Sequence, residues 1–446
     1  MTSLKKLAYR GAIWTIAGYG SSQVMRFGSN LILTRLLVPE YYGLMTVVNT
    51  LRMGIELFSD IGIPQSIVNN QSGDEPSFRD TAWTIQVIRG FIIWVVFLLI
   101  TIPTANIYDD RRLLWLIPIM GFSSVIDGFS STTIYTFQRR LDLGKLTQFD
   151  FIILTLTILT MIVWAWLSPS VWALGMGVIA GAVYRTIGSH WLIPGYTNRF
   201  AWNRDALQEI ISFGRLMFVA TALMFLGEQA DRLILGKLFS FQMLGVYSIA
   251  YTLAGIPRET IKKLSYRVIF PAISNQANIP RSTLRAKILR QRRIVLFGFA
   301  VCIAALVTVG DLIIATLYDK RYSEATWMMP ILCSGIWFSV LFYTISPALL
   351  AIKKPLYSAQ SNLARFVIIG IGLPLAFYRF GNVGAIIAIA IADFPLYFVN
   401  LWGLRQEKLS CISQDIQGTV FFISLLALFL FIRYFLGFGV PIQAIL

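Results

Sequence analysis

Apolar residues run along this chain in stretches of about 20, the length a helix needs to cross a hydrocarbon core of roughly 30 Å, and short polar turns separate them. The pattern predicts thirteen spans, at about 11–36, 43–66, 82–105, 113–137, 147–167, 169–193, 209–236, 242–261, 294–317, 326–351, 358–378, 382–404 and 417–436. No ten-residue segment alternates apolar and polar side chains with a period of two, which excludes a transmembrane β-barrel. The pattern thus predicts an all-α polytopic membrane protein. The stretch 417–446 is too short for two full spans, so a fourteenth is expected either to be missing from this chain or never to have been part of it, and an odd count would leave the C-terminus outside.

Composition agrees. Of 446 residues, 56% are hydrophobic and only 13% charged, against roughly 25% charged in an ordinary soluble domain. The net charge of +16 raises the question of nucleic acid, and position answers it. With the N-terminus placed in the cytoplasm, the inner loops carry 22 Lys/Arg and the outer loops seven. That bias is the positive-inside pattern of a cytoplasmic membrane protein and leaves nucleic acid without a case. Nine of the inner cations fall in 262–293, read as the largest soluble loop, a topology determinant that also touches anionic headgroups. Lys5, Lys6 and Arg10 precede a run too long for a signal peptide. Cys302, Cys333 and Cys411 lie far apart and read as packing residues, and one histidine, His190, rules out a site needing several histidine ligands. No metal or cofactor site is expected.

Residues 31–51 (LILTRLLVPEYYGLMTVVNTL) can be laid over 233–253 (LILGKLFSFQMLGVYSIAYTL) at an offset of 202, with Leu31, Gly43 and Thr50 recurring as Leu233, Gly245 and Thr252. Arg35 becomes Lys237 in the same short turn. An offset of six spans preserves orientation, so the repeat predicts two parallel six-helix lobes around a central cavity, as in some transporter folds. The expected division is 1–193 for the first lobe, 194–208 for an inner linker, 209–404 for the second lobe, and 405–446 for an inner loop with one additional span.

Charged side chains inside spans cost about 3 kcal/mol or more on insertion scales, so they face a partner or a cavity. Arg52, Glu56 and Asp60 follow one another at i, i+4, i+8 and share a helical face. Glu228, Asp231 and Arg232 form a second cluster, and the repeat places Arg26 opposite Glu228. Arg258 and Asp393 complete the candidate set, with a kink expected at Pro395. Arg89, Arg215, Arg365 and Asp127 add single charges, and Arg89, Arg185 and Arg215, near span borders, are expected to snorkel. Ion pairs that orient helices are the simplest use of such charges. As a set they suit an anionic substrate, with Arg26, Arg52, Arg232 and Arg258 binding phosphate oxygens. Glu56, Asp60, Glu228, Asp231 and Asp393 are the candidates to carry a coupling proton or sodium ion.

The opening from Arg10 to Val48, RGAIWTIAGYGSSQVMRFGSNLILTRLLVPEYYGLMTVV, resembles the polysaccharide-transport family of the multidrug/oligosaccharidyl-lipid/polysaccharide exporter superfamily. DIGIPQSIV (Asp60 to Val68) and the stretch Phe213 to Leu253 are similar to the end of that family's second span and to its seventh and eighth. The resemblance implies a flippase moving undecaprenyl-diphosphate-linked oligosaccharides from the cytoplasmic to the periplasmic leaflet of the bacterial inner membrane. Other polysaccharide-assembly proteins are its further implied partners. A multidrug or organic-cation exporter of the same superfamily is the alternative, and would need an acidic cavity. A membrane glycosyltransferase or polymerase is a third, and would need a large outer loop. No enzyme activity is expected.

Overall fold

The computed structural model describes residues 3–140, 142–192, 197–274, 276 and 279–441. Among these there is no strand, and the chain forms two compact units, Met1–Ala222 and Leu223–Leu446.

The first unit holds α1 (Ser3–Leu36), α2 (Pro39–Phe58), α3 (Ile63–Asn69), α4 (Pro76–Tyr108), α5 (Leu113–Gly128), α6 (Thr133–Arg139), α7 (Leu143–Leu167) and α8 (Val171–Trp191). The long α9 (Arg204–Leu238) leads into the second unit. Pro39 sits in the first turn of α2, where a missing N–H costs nothing. The helix stops at Phe58, and the following turn places Gly62 at φ 70°, a left-handed conformation suited to glycine. α4 and α5 press together along their lengths. At Gly90 a Cβ would lie 2.6 Å from the carbonyl oxygen of Ser124, so only glycine permits that approach. α5 and α6 are bent by 63° across the break at 129–132. α7 packs on α1 and α8, and α8 also covers α5.

The second unit comprises α10 (Phe241–Ala254), α11 (Ile256–Leu264), α12 (Phe270–Ser274), α13 (Arg281–Leu317), α14 (Ala325–Ala351), α15 (Leu356–Val367), α16 (Leu373–Ile391), α17 (Asp393–Gln406) and α18 (Ile412–Phe435). α14 is its buried axis, enclosed by α10, α13, α16 and α17. The 51-residue stretch Leu356–Gln406 is interrupted at Gly381, with φ 61°, and again at Ala392, and it folds back so that α15 packs on α17. α18 lies along α13, where Trp337 of α14 stacks on Phe422 at 4.8 Å.

Seven helices among the described residues are long and apolar enough to cross a membrane, or eight if the bent α5–α6 pair counts as one broken span. Large apolar side chains such as Leu99, Ile102, Trp166 and Phe380 face outward from them, a surface that only lipid would cover. The chain is a multi-pass helical membrane protein. Every expected span falls on a helix or a broken pair of helices. Those expected at 43–66 and 242–261, on α2–α3 and α10–α11, fall short on apolarity or length. Those expected at 11–36 and 209–236 map onto α1 and α9, helices that include side chains outside the described residues.

Two readings are corrected. The stretch 262–293 is not an extended loop: α11 continues to Leu264, a π-helical turn spans Ser265–Ile269, α12 follows, and α13 begins at Arg281. Cys333 and Cys411 are buried as packing residues should be, but Cys302 is exposed.

The repeat has a structural counterpart. α1 ends at Leu36 and α9 at Leu238, while α2 begins at Pro39 and α10 at Phe241; both pairs are separated by the offset of 202.

Candidate functional site

In the first unit, α2, α4, α5, α6 and α8 enclose a cavity of about 360 Å³ whose lining includes Arg52, Glu56, Arg89, Asp127, Tyr135 and Arg185. A second cavity of about 260 Å³ shares Glu56, Arg89 and Tyr135 with it and adds Asp60. The expected face of Arg52, Glu56 and Asp60 is thus brought to one polar region, though by a different local route. Asp60 lies beyond the end of α2, where its carboxylate accepts the N–H of Gly62 at 2.9 Å and shapes the turn into α3.

Arg52 is loosely held. Its guanidinium is 3.8 Å from Glu56 and 3.5 Å from the Ser123 hydroxyl, whereas a close charge-assisted hydrogen bond runs to about 2.7–2.9 Å. Arg89 is fixed. It donates to the carbonyls of Glu56 at 2.7 Å and Ser59 at 2.8 Å, placing a cation on the negative end of α2. The expectation that Arg89 snorkels is therefore corrected: open carbonyls close to it outcompete a more distant headgroup. Arg185 reaches Asp150 at 3.3 Å from the cavity's edge. The side chain of Arg215 lies outside the described residues.

The break after α5 frees backbone carbonyls, and polar side chains take them up. Gln86 donates to Gly128 and Ser130, each at 3.0 Å; Trp83 donates to Phe129 at 3.3 Å; and His190 meets the same carbonyl at 2.9 Å. The single histidine is a structural donor at this bend.

In the second unit the charges form a tighter group. Asp393 stands in the first turn of α17, just after the break at Ala392, and is 1% exposed. The expected distortion is this break, three residues before Pro395. Arg258 of α11 approaches Asp393 at 2.8 Å and Arg365 of α15 at 3.2 Å, while the Ser339 hydroxyl of α14 also donates to it. Arg258 further donates to Ser339 at 3.0 Å and to the Tyr251 hydroxyl at 2.8 Å. The Tyr251 ring lies 5.5 Å from Arg258 and 5.1 Å from Arg232, close enough for both cations to be attracted to its π face. Three guanidiniums thus gather around one tyrosine and one carboxylate.

Two further pairs stand beside this group. Tyr247 donates to Asp231 at 2.6 Å, and Lys262 reaches Glu228 at 2.5 Å. Of the expected residues, Arg52, Glu56 and Asp60 share the first unit's polar region, and Arg232, Arg258 and Asp393 share the second's. Arg26 is exposed on α1 and is not brought to either. Gln86, Tyr135, Tyr251 and Ser339 were not read from the sequence, since a polar residue in a span carries no mark of the partner it will meet.

The repeat offset also relates the charges, with signs reversed. Glu56 corresponds to Arg258, Asp60 to Lys262, and Arg26 to Glu228. At these three positions one unit carries an acid where the other carries a base, whereas Arg35 keeps its sign as Lys237.

Residues 32–327 match the family described as "Polysaccharide biosynthesis protein", and the chain belongs to that family. It is 20% identical over 347 residues to the Teichuronic acid biosynthesis protein TuaB of Bacillus subtilis (strain 168), covering 74% of this chain and 68% of the relative. In fold it is similar to the Lipid II flippase MurJ in an inward closed conformation, with a TM-score of 0.70 and 12% identity over 95% of this chain and 92% of that one. It is also similar to an inward-facing multidrug resistance MATE family transporter, with a TM-score of 0.61 and 12% identity over 89% and 94% of the two chains.

Proposed function

We propose that this protein is a flippase for lipid-linked oligosaccharides, moving undecaprenyl-diphosphate-linked units from the cytoplasmic to the periplasmic leaflet by alternating access. It would act in the bacterial inner membrane with its N-terminus in the cytoplasm, its lobes spanning 1–193 and 209–404. The carrying observation is the arginine-rich group of the second unit, where Arg232, Arg258 and Arg365 surround Asp393 and Tyr251. A carboxylate shared by two guanidiniums leaves positive charge over, and guanidinium recognises phosphate oxygens in a bidentate manner. A family defined by polysaccharide biosynthesis and a fold similar to a lipid II flippase point to the same class of substrate.

Arg52 is the first unit's ligand residue in this reading, because its guanidinium faces the cavity without a short bond holding it back. Glu56, Asp60, Glu228, Asp231 and Asp393 are the coupling candidates. Arg26 earns its place from the reversed repeat. Its counterpart Glu228 pairs with Lys262, and the counterpart of Lys262 is Asp60. A mirrored Arg26–Asp60 pair, of opposite polarity, would then form in another state of the transport cycle.

The organic-cation exporter reading draws on the MATE-like fold. It needs an acidic site, and the larger cavity of the first unit sets three arginines against two carboxylates.

The test is the sided accessibility of a polyprenyl-diphosphate oligosaccharide in proteoliposomes holding the purified protein, read with a membrane-impermeant sugar-modifying enzyme. Exposure beyond one leaflet's share, lost in R232Q and R52Q, is the expected result. No transfer with short or long glycans, under imposed proton or sodium gradients, would overturn the reading.

A further inference from the structure

On the flank of the second unit, α11 and α13 leave a groove of about 490 Å³ that takes no part in the site above. Ile256 and Leu264 line one wall, and Ile294, Phe299 and Leu306 the other. The hydroxyl of Thr260, which also lines it, is taken up by the Ile256 carbonyl at 2.8 Å, so the groove presents almost wholly apolar surface. Gly298 forms a notch in its floor, since a Cβ added there would meet nothing within 4 Å.

Length and charge indicate the occupant. Between Ile294 and Leu306 α13 rises about 18 Å at 1.5 Å per residue, a little over half of a roughly 30 Å hydrocarbon core, the depth of one leaflet. The end at Ile294 is basic. Arg290 lies one turn before Ile294 on the same helical face, and Arg267 follows Leu264 by three residues; both are exposed. A slot that is apolar along its length and cationic at one end matches a single lipid chain carrying an anionic headgroup.

We propose that this groove is a binding site for an anionic phospholipid, one acyl chain lying over Gly298 and Cys302 and the phosphate held by Arg290 and Arg267. The basic stretch 262–293 then fixes a particular lipid at a particular place, beyond its general attraction to the membrane surface. This inference does not depend on the flippase reading, and either can fail alone.

Cys302 supplies a reporter, because it lines the groove while Cys333 and Cys411 are buried. The full chain, purified in detergent and stripped of lipid, would be labelled with an apolar maleimide in the presence of phosphatidylglycerol or phosphatidylcholine. Bound lipids would be counted by native mass spectrometry. Phosphatidylglycerol is expected to slow Cys302 labelling at least tenfold at concentrations where phosphatidylcholine does not. R267Q/R290Q is expected to erase that difference, and G298F, whose Cβ enters open space, to bind one phosphatidylglycerol fewer. Equal protection by both lipids, or an unchanged lipid count in G298F, would overturn the proposal. Protection by a polyprenyl phosphate but not by phosphatidylglycerol would also overturn it and give the groove to an isoprenoid chain.

Discussion

Arg258 and Asp393 meet at 2.8 Å inside the second unit although they are far apart in the chain, and Arg365 closes on the other oxygen of the same carboxylate. Removing one partner of a buried ion pair strands the other and costs about 3–5 kcal/mol. D393N would strand two cations together and is expected to cost at least that much. The check is thermal unfolding in detergent, arranged as a double-mutant cycle with R365Q. The double variant should be markedly more stable than the sum of the single losses predicts, because R365Q removes the repulsion that D393N exposes. Simple additivity would show that Arg365 and Asp393 do not interact.

Arg52 should behave in the opposite way. Its guanidinium stands 3.5 Å from the Ser123 hydroxyl and 3.8 Å from Glu56, so R52Q gives up little native binding energy. Its stability is expected to stay within about 0.5 kcal/mol of the parent, as for exposed or weakly paired charges. Flipping in proteoliposomes should fall by tenfold or more. A stable variant with normal flipping would remove Arg52 from the site.

The sign-reversed repeat makes a third expectation. R26Q and D60N should each reduce flipping, while the exchange R26D/D60R should restore part of it, because a pair works with either polarity. Glu228 and Lys262 already provide the reversed form at 2.5 Å in the other unit. Three variants equally inactive, with insertion intact, would count against the mirrored pair. The comparison also distinguishes pairing from capping: if Asp60 acts only by accepting the N–H of Gly62, R26D/D60R gains nothing over D60N.

Much of this was legible in the sequence. Runs of about 20 apolar residues locate helices because the bilayer fixes that length, and the 202-residue offset recurs between the ends of α1 and α9 and between the starts of α2 and α10, although the span borders read from the sequence differ from these by up to four residues. Charges in spans marked helices that carry the ion pairs of the two units, since an unpaired charge there is too costly to keep. What local spacing misses is the partner. Arg365 appeared as a lone charge until α15 folded back onto α17 and brought it to Asp393. Tyr251 and Ser339 looked like ordinary span residues, yet both contact Arg258. Arg89 stood near a span border like any snorkelling arginine, and only the stop of α2 at Phe58 showed which carbonyls it would meet. Lys262, counted with a loop, proved to be the partner of Glu228 because α11 extends to Leu264.

The last helix offers the cleanest stability test, since its charges bind it to α13 away from the candidate site. Arg292 and Asp415, with side chains 2% and 3% exposed, meet at 2.5 Å, and Tyr397 donates to the same carboxylate at 2.8 Å. At the far end Arg433 grips Asp311 at 2.6 Å, so α18 is fastened at two points about 18 residues, or roughly 27 Å, apart. D415N keeps the shape and strands Arg292, and is expected to lower stability by about 3–5 kcal/mol. Replacing both partners, as in R292M/D415L, removes the stranded charge and fills the space with apolar atoms, so most of that loss should return. Thermal unfolding of the three proteins in one detergent decides the matter. If D415N alone costs under about 1 kcal/mol, Arg292 has found another anion or water, and the burial of this end of α18 is less complete than the structure indicates.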